Sequence, residues 1–146
     1  MQVINPATEE VIANLSEDSF FTLASKLNLL KTGQMEWRKT DLNQRIAVLQ
    51  KFSDLLSQEI ETCATILTSE VGKPLQQSRN EVNGACSRIT WLTNNASKYL
   101  SDETMTESEG LVEKIVYEPL GVICNISAWN YPYLVGVNVI VPALLA

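Results

Sequence analysis

The sequence predicts an α/β fold in which this stretch of chain is mostly helical, with a small β-hairpin at its start. Three observations carry that expectation. Apolar residues recur at three- and four-residue steps through long stretches between Asp18 and Leu100. Short β-branched runs flank an Asn-Pro turn near the start. The last 28 residues carry no charge and change midway from a β-branched run to a helix-like pattern. A strand, a turn and then a helix is the building order of α/β proteins.

Along the chain, Val3 and Ile4 precede Asn5-Pro6-Ala7-Thr8, and Val11 and Ile12 follow, which predicts a paired hairpin. A helix is expected over 18–37, capped by Ser16 or Asp18, with Leu23, Leu27 and Leu30 on one side. The strongest helix is expected over 41–71. Leu42, Ile46, Leu49, Leu56, Ile60, Cys63 and Leu67 form its stripe, Thr40 or Asp41 caps it, and Gly72 and Pro74 stop it. A third helix is expected over 75–100, striped by Val82, Ala85, Ile89, Leu92, Ala96 and Tyr99. These stripes read as core. The acidic, polar segment 101–110 is expected to be a surface loop, and 111–117 a strand. Within the tail, Val122–Ile126 reads as a fully buried strand and Tyr133–Ala146 as a buried helix.

Composition narrows the function classes. Hydrophobic residues make up 45% and charged residues 19%, which is globular. The net charge of -6, from 11 basic and 17 acidic side chains, argues against nucleic acid and anionic lipid as partners. No histidine is present, so Ser-His-Asp and Cys-His arrangements are impossible within these residues. Cys63, Cys86 and Cys124 are widely spaced, with no CxxC pair, so no metal site is expected. They read as reduced thiols of a cytoplasmic protein. The Asn-x-Ser triplets at Asn14, Asn95 and Asn125 are short enough to arise by chance.

So apolar a tail must be tested as a membrane span. Asn125, Asn130 and Asn138 would be costly in hydrocarbon, and Pro119, Pro132 and Pro142 interrupt the run, as do Gly121 and Gly136. The buried strand–turn–helix is therefore preferred, with a tail-anchored helical protein as the alternative.

The turn itself is specific. Glu118–Pro132, EPLGVICNISAWNYP, resembles the aldehyde dehydrogenase segment EPxGVxxxIxPWNFPL that enters the cofactor domain. Pro142-Ala143-Leu144 resembles the PALAAGN helix that follows, Asn5-Pro6-Ala7-Thr8 the N-terminal hairpin turn, and Glu70–Pro74 the E-x-GKP helix end. The order and spacing of these landmarks span the whole chain. Ala128 stands where the family has proline, Tyr131 where it has phenylalanine, and Tyr133 where it has leucine. The first change loosens a rigid turn. The second adds a hydroxyl beside the expected aldehyde channel.

The resemblance implies the following. The fold is aldehyde dehydrogenase-like, and residues 1–146 are the N-terminal, incomplete portion of a Rossmann-like cofactor domain. Residues 111–118 resemble part of the oligomerisation region of a homo-oligomer. The reaction is NAD- or NADP-dependent oxidation of a small-molecule aldehyde through a cysteine thioester. Asn130 is the hydrogen-bond donor to the oxyanion. Ile126, Ser127, Ala128 and Trp129 line the cofactor, and Tyr131 and Leu134 the substrate channel. From the residues alone, Asn130 reads more readily as a turn-capping amide, and Trp129 equally well as a core aromatic. None of the three cysteines matches the nucleophile, which the resemblance places beyond position 146 together with the glutamate base. These residues alone are therefore expected to be inactive, and poorly soluble, self-associating or incompletely ordered. A non-catalytic interaction module is the alternative function, ranked ahead of the tail-anchored protein. Lys73 and Glu70 read as an ordinary charged helix end.

Overall fold

The computed structural model describes residues 1–146. In chain order it comprises β1 (Gln2–Ile4), β2 (Val11–Asn14), α1 (Phe20–Trp37), α2 (Leu42–Gln58), α3 (Ile60–Val71), α4 (Leu75–Leu100), β3 (Glu103–Ser108), β4 (Leu111–Ile115) and α5 (Pro132–Leu145). The long α4 is the spine. α2, α3 and α5 pack along it, and the core is made where they meet: Leu49, Leu56, Val82, Ala85, Ile89, Ala96, Val137, Val141 and Leu145. The periodic stripes of 41–71 and 75–100 supply most of these residues, as an amphipathic helix must when it buries one face.

β1 and β2 pair antiparallel around the Asn5-Pro6 turn. The Asn5 side-chain oxygen accepts from the Ala7 N–H at 2.9 Å, closing the turn locally. The expected helix over 18–37 forms, but its cap is Ser19 and not Ser16 or Asp18. The Thr22 N–H donates to Ser19 Oγ while the Ser19 N–H donates to Thr22 Oγ1, a reciprocal capping box. Asp18 instead pairs with Lys26 at 2.6 Å. α1 buries none of its residues, and the Trp37 indole N–H anchors it by donating to the Leu144 carbonyl at 2.9 Å.

Three further expectations are corrected. The single helix over 41–71 is two helices, broken at Glu59, whose φ of -101° and ψ of 18° leave helical geometry. Periodicity reports which face is apolar, and one non-helical residue between two helices leaves the apolar spacing in the sequence unbroken. Asp41, not Thr40, caps α2. The expected loop over 101–110 contains β3, which pairs with β4 across Glu109-Gly110, with Gly110 at φ 79°. Every residue of both strands is exposed, so no one-sided alternation marked β3.

The third correction matters most. Val122–Ile126 forms no strand, and Ile126 is 92% exposed. Cys124 is exposed, not buried. A parallel strand is stabilised by neighbours on both edges, and no strand among residues 1–146 lies beside this one. α5 forms as expected, with Pro132 in its first turn. No helix is long and apolar enough to cross a membrane. Large apolar side chains remain open, including Phe20, Phe21, Leu120, Ile126 and Trp129.

Candidate functional site at the start of helix α5

The residues singled out from the sequence lie on one continuous stretch that runs into α5. Between 118 and 129 no backbone group bonds to another backbone group. The stretch is held by side chains. The Asn125 amide donates to the Gly136 carbonyl at 3.5 Å, and the Ser127 hydroxyl donates to Asn125 Oδ1 at 2.7 Å. Ile126 and Trp129 stand out from it, 92% and 76% exposed, so Trp129 is not a core aromatic. Ala128 is exposed and Ser127 half-buried. Ile126 to Trp129 thus present two open apolar faces with unpaired backbone between them.

Asn130 follows in a turn and is exposed, and its side-chain amide makes no hydrogen bond within the chain. The turn-capping alternative is not what this side chain does. Tyr131 occupies the N-cap of α5 without a side-chain cap bond. Leu134, half-buried, lies one turn on and faces α4 near Gly84. Asn130, Tyr131 and Leu134 are therefore brought together at one helix end.

That end is held by Glu81, which the sequence did not flag, and by Lys73, which the sequence marks only as a charged helix end. The Glu81 carboxylate, on α4, is completely buried. Its Oε1 accepts from the Tyr133 N–H at 2.9 Å and from the Leu134 N–H at 3.3 Å. Lys73, at the α3–α4 connection, donates to the other oxygen of Glu81. The same ammonium lies 3.7 Å from the centroid of the Tyr131 ring. Lys73 is thus more than a solvated helix end. The one available signal was the E-x-GKP match that contains it. Nothing in sequence spacing marked Glu81, because its partners are 52 and 53 residues away.

Tyr133 points inward. Burial first, then the neighbouring Cys63 thiol and the charges of Glu70 and Glu81, push its phenol up to about 12. Burial also raises the Cys86 thiol, whose sulfur donates to the Ser53 carbonyl at 3.8 Å. A thiol held protonated is a poor nucleophile. A cleft of about 400 Å³ lies elsewhere, between α1, residues 121–125 and the far half of α5. It is lined by Leu30, Trp37, Val122, Ile123, Val139 and Ile140 among others, with no titratable side chain. Such a lining supplies no acid, base or nucleophile.

The aldehyde dehydrogenase family model matches residues 1–146, the full length of the chain. The chain belongs to the aldehyde dehydrogenase family. It is 33% identical over 147 aligned residues to the 3,6-anhydro-alpha-L-galactose dehydrogenase of Vibrio sp. (strain EJY3), covering 99% of this chain and 30% of that one. Among solved structures it resembles an aldehyde dehydrogenase from Brucella melitensis biovar abortus 2308. The TM-score there is 0.93 at 31% identity, over 99% of this chain and 30% of that one. The succinic semialdehyde dehydrogenase from Streptococcus pyogenes, in complex with NADP+ as the cofactor, gives 0.90 at 26% identity, covering 99% and 32%. The fold is therefore aldehyde dehydrogenase-like, and the chain spans about a third of the length of these relatives.

Proposed function

We propose that residues 1–146 form the N-terminal portion of the cofactor-binding domain of an NAD- or NADP-dependent aldehyde dehydrogenase, which oxidises an aldehyde to a carboxylic acid through a cysteine thioester. The supporting observation is the free side-chain amide of Asn130 at the end of a backbone stretch open to ligand. A neutral donor is what a developing oxyanion needs next to a thiolate, since a charged group would alter the thiolate itself.

The stretch from Ile126 to Trp129 fits a dinucleotide. Its exposed apolar side chains suit flat rings, and its unpaired backbone groups suit the polar edges between them. When bound, that cofactor accepts the hydride. This chain's share is to hold the stretch against α5 through Asn125 and Ser127, and to present Asn130 and Tyr131 where it ends. Tyr131 and Leu134 line the approach of the aldehyde. The Tyr131 hydroxyl favours a polar aldehyde, in keeping with the two relatives named for an anhydro-sugar and a semialdehyde.

The β3–β4 hairpin, with Leu111, Val112 and Ile115 all exposed, supports a role for residues 111–118 in homo-oligomer formation. The free cysteines suit a reducing, cytoplasmic setting.

The test is Asn130→Ala in the intact protein. The expected result is a fall in kcat of about a hundred- to a thousandfold, with KM for the aldehyde little changed. Parental kcat would sink the assignment.

A further inference from the structure

The buried pair Lys73–Glu81 has no place in the function just described. Its geometry nevertheless converges on the turn that carries Asn130.

Glu81 is fully buried and Lys73 is 8% exposed at the side chain. A carboxylate in that setting is tolerated only when its oxygens are satisfied. The partners of Glu81 are specific. Tyr133 and Leu134 are the second and third residues of α5, whose N–H groups have no acceptor within their own helix. The N-cap residue, Tyr131, offers them none. Glu81 therefore caps α5 from a different helix. A negative charge at a helix N-terminus is also favoured by the helix dipole. Lys73 approaches from the α3–α4 connection, neutralises Glu81, and sits over the Tyr131 ring. The two side chains hold the residues on the C-terminal side of Asn130, by backbone at Tyr133 and Leu134 and by ring at Tyr131. Asn130 has no hydrogen bond of its own in the chain. Its orientation is inherited from that backbone.

We infer that Lys73 and Glu81 are positioning residues for Asn130, fixing the first turn of α5 so that the Asn130 amide is aimed in one direction. The inference rests on the reading of Asn130 as the oxyanion donor. A purely structural role, joining α4 to α5, predicts a loss of stability with no specific link to Asn130. Positioning predicts that link. A displacement of about 1 Å at a reacting centre is enough to cost about a hundredfold in rate.

The experiment uses the intact protein with Glu81→Gln, which keeps the shape and an oxygen acceptor but removes the charge. It is made alone and together with Asn130→Ala. Expected for the single variant are a fall in kcat of about tenfold or more, a KM for the aldehyde within about twofold of the parent, and faster amide hydrogen exchange over 131–135. In the Asn130→Ala background the same change should alter kcat by less than about twofold, because no donor is left to aim. If Glu81→Gln fails to fold, Lys73→Met/Glu81→Gln removes both charges at nearly unchanged volume and is held to the same outcomes. An equal loss of kcat with and without Asn130 overturns the inference in favour of a structural role. Unchanged kcat and unchanged exchange in Glu81→Gln also overturn it. Should Asn130→Ala itself keep parental kcat, the donor reading and the inference both fail, and the exchange data then tell whether the clamp on α5 exists without a catalytic target.

Discussion

The same substitution, glycine to alanine, should have opposite signs at two positions of this chain. Gly33 lies inside α1, and a Cβ added there meets nothing within 4 Å. Alanine removes backbone freedom from the unfolded chain and gains helix propensity, so Gly33→Ala should stabilise by about 1 kcal/mol. Gly72 ends α3 at φ 78°, in the left-handed region that L side chains avoid. Alanine there costs about 1–2 kcal/mol for the backbone alone. The added Cβ would also lie 2.8 Å from Pro6 Cγ, on the hairpin turn, so the ring must retreat to reach ordinary contact. Overpacking of that kind costs about 1–3 kcal/mol. Gly72→Ala should therefore destabilise by about 2–5 kcal/mol, the sum of those two contributions. Urea unfolding of the two variants beside the parent measures both. Pro6→Ala added to Gly72→Ala should recover the packing part and leave the backbone part, so the pair will be non-additive. The reasoning is refuted if Gly33→Ala destabilises, or if Gly72→Ala lies within about 0.5 kcal/mol of the parent, the ordinary range of a neutral surface change.

Other outcomes follow from the site. The Tyr133 phenol, pushed up to about 12 from 10.0 chiefly by burial, binds its proton more tightly folded than unfolded. Its contribution to stability is complete below pH 10 and is lost as pH rises towards 12, so Tyr133→Phe should flatten base-induced unfolding in that window. An unchanged alkaline transition in Tyr133→Phe argues against this. Cys124 is exposed, whereas burial holds the Cys86 thiol protonated, so iodoacetamide at mildly alkaline pH should label Cys124 first. Peptide mass spectrometry showing equal rates would contradict that order. The kinetic losses expected for Asn130→Ala and Glu81→Gln complete the set.

The legible features were those encoded locally. The hairpin at Asn5-Pro6, the stripe of α4 from Val82 to Ala96 and the helix after the Trp-Asn turn are each set by neighbours in sequence and formed as expected, whereas Tyr99, expected on that stripe, is exposed. Glu59 shows the limit of periodicity. The stripe through Leu56, Ile60 and Cys63 continues across it although the helix breaks there. β3 was missed because both faces of the hairpin are exposed, so its strand state comes from pairing with β4 and leaves no apolar alternation. The segment 122–126 failed in the reverse direction. Its apolar, β-branched run is the composition of a buried parallel strand, but composition cannot supply the neighbouring strands on which a ladder depends.

The sequence by itself determined the family, through Trp129-Asn130 and Pro132 and the landmarks spaced before them, and it determined which helix faces are apolar. Local chemistry suffices for both, because a turn motif and a 3.6-residue period are properties of adjacent residues. Only the tertiary structure decided what holds the Asn130 turn. Glu81 reaches the amides of Tyr133 and Leu134 across 52 and 53 residues, and Lys73 joins it from a third element. A buried charge is committed to the partners that the fold places around it, and those partners are set by how α4 and α5 pack.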